Sequence, residues 1–292
     1  MNKNLAHWRI VASMVIFGTM APFVRAIALS SGALALYRAV LATLVVGGFL
    51  LLRGRKLSLS VGRKEKLLLM LSGMAMGINW ILLFEAYKYT TVAAATLSYY
   101  FAPVIVTILC PILFREKLGM RQILCFVFST LGLALVIGVT DLQKGGSDFI
   151  GILFGLGAAV LYASVVILNK FIHHVEGLER TFWQFTAAVV MLLPYVLFTG
   201  GAAPSLLDGM GWICVLIVGL IHTGLSYCLY FPALRALSGQ EVSILSYIDP
   251  LVAVVISVLV LHEPLSLMQG IGGVLILGFT LLNEWTPAKK KK

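Results

Sequence analysis

Apolar runs of about 20 residues recur from one end of this chain to the other, each long enough to cross the ~30 Å hydrocarbon core of a bilayer as a helix. They fall at roughly 8–29, 33–52, 66–87, 91–113, 120–139, 149–169, 181–199, 210–232, 241–261 and 267–283. Lipid satisfies no backbone hydrogen bonds, so such segments must be helices or strands of a closed barrel. Continuous apolarity without period-two alternation decides for helices. Charged residues make up only 12% of the 292, apolar ones 60%, and the mean hydropathy is +0.99. A water-facing domain carries about 25% charged residues, so a soluble enzyme, a disordered chain and a secreted disulfide scaffold are all excluded. The expected fold is an all-α membrane protein with ten transmembrane helices.

The breaks between runs carry turn chemistry: Ser30-Ser31-Gly32, Gly145-Gly146-Ser147 and Gly200-Gly201. The first run follows Lys3 and Arg9 as a signal peptide would, but its length and the interrupting Arg25 favour a retained span. With ten spans and the N-terminus inside, cytoplasmic segments hold 18 of the 22 basic residues. External loops hold Arg25, Lys88 and Lys144, and Arg38 lies in the second span, shallow enough to snorkel. The opposite orientation inverts that bias, which places both termini in the cytoplasm.

The net charge of +10 gathers in short clusters between apolar runs, such as Arg53, Arg55, Lys56, Arg63, Lys64 and Lys66, and in Lys289 to Lys292. Clusters of this kind suit a lipid surface; a nucleic-acid partner is not expected. Cys110, Cys125, Cys214 and Cys228 sit inside apolar runs without C-x-x-C spacing, so they read as small buried hydrophobes and imply no metal site.

The chain also repeats itself. A shift of 147 positions lays Ala86 on Ala233, Tyr100 on Tyr247, Pro103 on Pro250, Glu116 on Glu263, Leu118 on Leu265 and Gln122 on Gln269. At the same offset Gly77 meets Gly224, Trp80 meets Tyr227 and Phe84 meets Phe231; nearer the start of each half, Arg25 meets Lys170 and Tyr37 meets Trp183. The halves are residues 1–141 and 149–292, the second with a basic C-terminal tail. Each holds five spans, an odd number, so the second half must enter the membrane inverted. Inverted repeats characterise secondary transporters, where two pseudo-equivalent packings open one central site to alternate sides.

At these residues the chain resembles the EamA repeat of the drug/metabolite transporter superfamily. The resemblance rests on Glu116-x-Leu118-x3-Gln122 and Glu263-x-Leu265-x3-Gln269, each after a proline-containing span and before a glycine-rich one, and it covers nearly the whole chain. It implies a multi-pass protein of the bacterial cytoplasmic (inner) membrane, with no cofactor and a central cavity lined by spans 1, 3, 4, 6, 8 and 9, spans 5 and 10 being peripheral. Similar proteins export amino acids, other metabolites and toxic compounds, YddG-type aromatic amino-acid exporters among them. The implied function is outward transport of small metabolites, amino acids foremost, by alternating access. Passive facilitation, or export of sugars, nucleosides or cationic compounds, is the other reading.

The residues themselves point to a site near the two prolines. Pro103 and Pro250 each remove a ladder hydrogen bond, so spans four and nine should kink there and serve as hinges. Near them lie Ser98, Tyr99 and Tyr100 in one half and Ser243, Ser246, Tyr247 and Asp249 in the other; Asn79 and Trp80 correspond in depth to Ser226 and Tyr227. An aromatic box with hydroxyls and an amide suits a small amphiphile, and the expected substrate contacts are Asn79, Trp80, Tyr99, Tyr100, Tyr227, Ser246 and Tyr247. Asp249 reads equally as a proton-coupling or substrate-amine site and as the N-cap of a half-helix beginning at Pro250. His222 could titrate near physiological pH or be bonded to a carbonyl. Glu85 and Lys88 form a surface pair at helical spacing, and Glu116 and Glu263 suit the positive end of a helix. No H-E-x-x-H, G-x-S-x-G or G-x-x-x-x-G-K-[ST] string occurs, so no enzyme is expected.

Overall fold

A computed structural model describes residues 3–55, 61–114, 119–137, 146–175, 177–199, 207–234, 236–237 and 239–284. Glu116, Leu118, Lys144, Gly145 and the Gly200-Gly201 turn lie outside the described residues, as do the side chains of Cys110 and Ser243. Among the described residues there is no strand. The helices are α1 (Lys3–Gly18), α2 (Met20–Arg25), α3 (Ser31–Leu52), α4 (Arg63–Tyr89), α5 (Val92–Tyr99), α6 (Ala102–Phe114) and α7 (Met120–Ile137) in the first half. The second half holds α8 (Ser147–Asn169), α9 (Gly177–Phe198), α10 (Gly209–Leu216), a π-helical stretch Ile217–Leu225, α11 (Ser226–Leu234), α12 (Gly239–Ser246), α13 (Ile248–Leu259) and α14 (Leu267–Glu284).

Seven stretches are long and apolar enough to cross a membrane: Lys3–Arg25, Ser31–Leu52, Arg63–Tyr89, Val92–Leu109, Ser147–Asn169, Gly177–Phe198 and Gly209–Leu234. Met120–Val136, Ile244–Leu259 and Leu267–Leu282 are shorter apolar helices. The chain is a multi-pass membrane protein.

Helix starts follow from local chemistry. Ser30 is extended and its hydroxyl accepts from the Ala33 N–H, Thr91 does the same for Ala94, and the Asp208 carboxylate caps Gly211. The repeated glutamine has a cap role in both halves. Gln269 Oε1 accepts from the Ser266 N–H at 3.0 Å while Ser266 Oγ accepts from the Gln269 N–H at 3.1 Å, a reciprocal capping box at α14. Gln122 Oε1 accepts from the Gly119 N–H at 2.7 Å at α7, where glycine offers no hydroxyl to return the bond.

Three helix breaks stand three residues ahead of a proline: Thr19 before Pro22, Tyr100 before Pro103 and Tyr247 before Pro250. Proline has no N–H, so each removes the bond that would have continued the helix across the break. The carbonyls of Gly18, Tyr99 and Ser246 lose their helical partner. Elsewhere the irregularity is a π-helix, in which Thr223 Oγ1 bonds the Val218 carbonyl and Ser226 Oγ the Ile221 carbonyl, both five residues back.

Packing between helices follows the repeat. The strong contact of α4 on α8 has its mirror in α1 on α11. Each pair carries one buried polar link: Asn79 Nδ2 donates to the Ala158 carbonyl at 2.6 Å, and Ser13 Oγ to the Ser226 carbonyl at 2.9 Å. Helices α7 and α14 pack on each other, with Phe128 stacked on Phe279 at 4.2 Å between ring centres. A Cβ at Gly132 would stand 2.6 Å from the Gly272 carbonyl, so these two backbones approach as closely as they do only because both residues are glycine.

Candidate functional site

The breaks at Tyr100 and Tyr247 meet at the centre of the molecule, where the Tyr100 hydroxyl donates to Asp249 Oδ2 at 2.6 Å. A cavity of about 410 Å³ opens there, a size that suits a small organic ligand. It draws side chains from α1 and α2, α4, α5 and α6, α8, α11, α12 and α13, and one from α3. Nothing from α7, α9 or α14 reaches it. Aromatic rings stand in its wall on both repeats and hold one another in place: Tyr99 meets Tyr100 at 5.8 Å and Tyr162 at 5.6 Å, and Tyr227 stands edge-on to Phe17 and Phe185 at 5.3 Å each.

All seven residues expected as substrate contacts, Asn79, Trp80, Tyr99, Tyr100, Tyr227, Ser246 and Tyr247, line this one cavity, with Asp249 and Pro103 among them. Pro250 and His222 do not. Asp249 is no N-cap: α13 begins before it at Ile248, and Tyr247, the residue in cap position, has helical backbone angles that leave no room for an extended cap. Its carboxylate faces Tyr100 of the other repeat instead. His222 is buried against Phe23, with Nδ1 3.3 Å from the Ile217 carbonyl and Nε2 3.2 Å from Thr19 Oγ1. The Thr19 hydroxyl itself donates to the Ile16 carbonyl at 2.9 Å, so the ring is held between two groups of the protein rather than facing the cavity.

Arg38 overturns the snorkelling expectation. It is 4% exposed and lines the cavity, its guanidinium 4.3 Å from the centre of the Trp80 ring and its Nε donating to Thr223 Oγ1 at 2.7 Å. Its Nη1 is buried with no hydrogen-bond partner. A signal was in the sequence: an arginine among Leu34, Ala35, Leu36, Ala39, Val40 and Leu41 has a costly place in lipid and needs a partner inside the protein.

One end of the cavity is sealed by groups from both repeats. Arg25 donates through Nε to the Tyr87 carbonyl at 3.0 Å, through Nη2 to the Thr90 carbonyl at 2.7 Å, and through Nη1 to Glu263 Oε1. Glu263 Oε2 accepts from the Val92 N–H at 2.8 Å and the Ser257 hydroxyl at 2.5 Å, and Ser257 Oγ accepts from the Ala93 N–H at 3.2 Å. Glu263 thus meets the positive end of a helix, but of α5 in the opposite repeat rather than of α14, which follows it. Helix α13 packs on α5 at this end. The mirror contact, α6 on α12, has no comparable packing among the described residues. The cavity runs from Tyr87 and Thr96, near the seal, past Tyr100 to Thr107, Val166 and Tyr230, toward that unpacked end.

Glu85 and Lys88 pair on the surface of α4 at 3.1 Å. Cys125, Cys214 and Cys228 are buried. Among the described residues no three His, Cys, Asp or Glu side chains gather as metal ligands would.

Comparison with known proteins agrees with this architecture. The model of the EamA-like transporter family matches residues 4–138 and again 149–284. An uncharacterized transporter, YxxF, of Bacillus subtilis (strain 168) is 35% identical over 278 residues, 94% of this chain and 88% of its own. An uncharacterized transporter of Archaeoglobus fulgidus is 29% identical over 94% of both chains, and Protein PecM of Dickeya dadantii (strain 3937) is 26% identical over 72% of this chain and 70% of its own. A solved crystal structure superposes with a TM-score of 0.64 at 19% identity, covering 96% of each chain, and so shares the fold. With both halves matched in turn, the chain is a membrane transporter of the EamA-like transporter family.

Proposed function

We propose that this transporter is a secondary carrier of ten transmembrane helices in two inverted five-helix repeats, with both termini in the cytoplasm of a bacterial inner membrane. It moves small organic metabolites outward by alternating access, neutral amino acids with apolar or aromatic side chains foremost, in the manner of YddG-type exporters. The observation that carries this reading is the unequal treatment of the two cavity ends. Arg25, Glu263, Ser257 and the start of α5 tie the repeats together at one end, while among the described residues the equivalent helices α6 and α12 show no comparable packing at the other. By the distribution of basic residues the tied end is external, so this is the inward-facing form in which an exporter loads. The substrate lies against Asn79, Trp80, Tyr99, Tyr100, Tyr227, Ser246 and Tyr247, and the breaks ahead of Pro103 and Pro250 are the hinges.

The test is uptake of labelled neutral amino acids into proteoliposomes, with and without an imposed pH gradient. Saturable uptake competed by aromatic or large aliphatic members, and lost in Tyr100→Ala and Tyr247→Ala at unchanged membrane insertion, is the expected result. Gradient dependence assigns proton coupling, with Asp249 the carboxylate to replace first; indifference to the gradient makes the protein a facilitator. Wild-type flux in both tyrosine variants overturns the site. Folded protein that moves sugars, nucleosides or organic cations and no amino acid overturns the substrate.

A further inference from the structure

Two charges line the cavity, Arg38 and Asp249, and they form no ion pair with each other. Each is held by a neutral group: Thr223 and the face of Trp80 hold Arg38, and Tyr100 holds Asp249. Charges in a membrane interior are costly and persist where they meet a partner. Here Arg38 Nη1 is buried without one, in the wall of an open cavity.

Neither charge is demanded by the repeat. Arg38 corresponds to Gln184, the residue after Trp183, just as Arg38 follows Tyr37. Gln184 Nε2 donates to Ser72 Oγ at 2.8 Å and to Asn169 Oδ1 at 2.7 Å, so both its protons are used within the protein, and it does not line the cavity. Asp249 corresponds to Ala102, which has nothing to ionise. A packing role shared by both repeats would have kept the same chemistry at both places. The cavity is electrically asymmetric: it holds one cation and one anion, one from each repeat, and neither has a charged counterpart in the other.

We propose that Arg38 and Asp249 form a dipolar site for a zwitterion. The ligand's carboxylate meets the Arg38 guanidinium, its ammonium meets Asp249, and its apolar body lies against the aromatic rings. An organic cation would meet Asp249 at the cost of Arg38, and an anion the reverse; a zwitterion alone answers both charges. This inference rests on the transporter reading above and narrows its substrate to molecules that carry an amino and a carboxyl group together. Arg38 therefore selects the substrate, a role that neither the repeat nor the position of α3 behind the cavity announces.

The test is binding to the full chain in lipid nanodiscs, followed by the intrinsic fluorescence to which Trp80 contributes. The probes share one ring: phenylalanine, phenethylamine (no carboxylate) and 3-phenylpropionate (no ammonium). Phenylalanine is expected to bind about tenfold or more tighter than either analogue. In Arg38→Gln the preference over phenethylamine disappears and that over 3-phenylpropionate stays; in Asp249→Asn the pattern reverses. Arg38→Lys restores part of the first preference, and should Arg38→Gln fail to fold, wild type and Asp249→Asn decide alone. Equal binding of the three probes by wild type, or an unchanged order in both variants, overturns the dipolar site while leaving a carrier of aromatic solutes standing. Binding of none of the three, with binding of a sugar or nucleoside, overturns the amino-acid reading itself.

Discussion

The two repeats match in their helix pairs and in several aromatic residues of the cavity, and differ in the charges that line it and in the contacts at its ends. Their helix pairs match, α4 on α8 and α1 on α11, and each pair carries one side-chain-to-carbonyl bond at an equivalent depth. Both breaks at the centre stand three residues before a proline. At the cavity the correspondence fails: Arg38 stands against Gln184 and Asp249 against Ala102. At its ends the described residues differ again: Glu263 of the second repeat caps α5 of the first, while α6 and α12 show no comparable packing. Two copies that had only to pack would keep their symmetry throughout. What is shared serves two equivalent packings, and what is unshared gives the cavity a polarity and the molecule a preferred state.

The severest way to break this comparison is to separate α1 from the second repeat's break. A Cβ on Gly18 would stand 2.6 Å from the Asp249 carbonyl and 2.7 Å from Val252 Cβ, whereas Gly48 has nothing within 4 Å. Gly18→Val is expected to cost about 3 kcal/mol in strain and to abolish transport, while Gly48→Val at equal insertion transports normally. Flux of the two variants, normalised to protein in the membrane, checks this.

Next in size is the seal. Glu263→Ala leaves Arg25 without its anion and the Val92 N–H without its acceptor. Arg25 is 31% exposed, so water recovers part of the loss, and the sealed form is expected to weaken by about 1–2 kcal/mol, roughly tenfold in population. A single cysteine placed at Thr96, labelled from outside the cell, should then react faster; an unchanged rate would mean the contact does not set the preferred state.

An effect of similar size is expected from Tyr100→Phe, which keeps the ring and removes the hydroxyl that meets Asp249. The lost bond involves a charged acceptor and is worth about 1.5–3 kcal/mol. Half-saturation for transport should rise by about tenfold or more, with maximal flux less affected. The least effect belongs to the shared scaffold. Ser13→Ala removes the bond to the Ser226 carbonyl, and interhelical bonds of this kind average about 0.6 kcal/mol in membranes. A slightly lower thermal midpoint with unaltered substrate preference is expected; a changed preference would show that the scaffold and the selective residues are not separate.

Much of the site was legible because aromatic residues and prolines at matched positions of two repeats have few other uses deep in a bilayer. Tyr100, Tyr227 and Tyr247 were expected in this way, Tyr99 and Ser246 from their place beside the two prolines, and all five line the cavity. Arg38 was not expected there, because its distance from the start of the second span is compatible with snorkelling; only the rotation of α3 against the π-helix decides that it points inward to Thr223. Asp249 followed by proline satisfies the local rule for a cap, and the rule lost because Tyr247 continues in helical conformation across the break. The acidic member of the repeated motif, Glu263, was rightly set beside a helix end, but no local rule names a helix 171 residues away.

The sequence by itself determined that the chain crosses a membrane repeatedly, that it consists of two related halves, and that two of its spans break near Pro103 and Pro250. Those properties follow from hydropathy, spacing and missing N–H groups, all of which act within a few residues of the backbone. Only the tertiary structure decided which polar groups meet: Tyr100 with Asp249, Arg38 with Trp80 and Thr223, and Glu263 with Arg25 and α5. Lipid and protein interior are equally apolar, so hydropathy does not say which face of a membrane helix turns inward. That is settled by close packing and by the need of each buried charge for a partner.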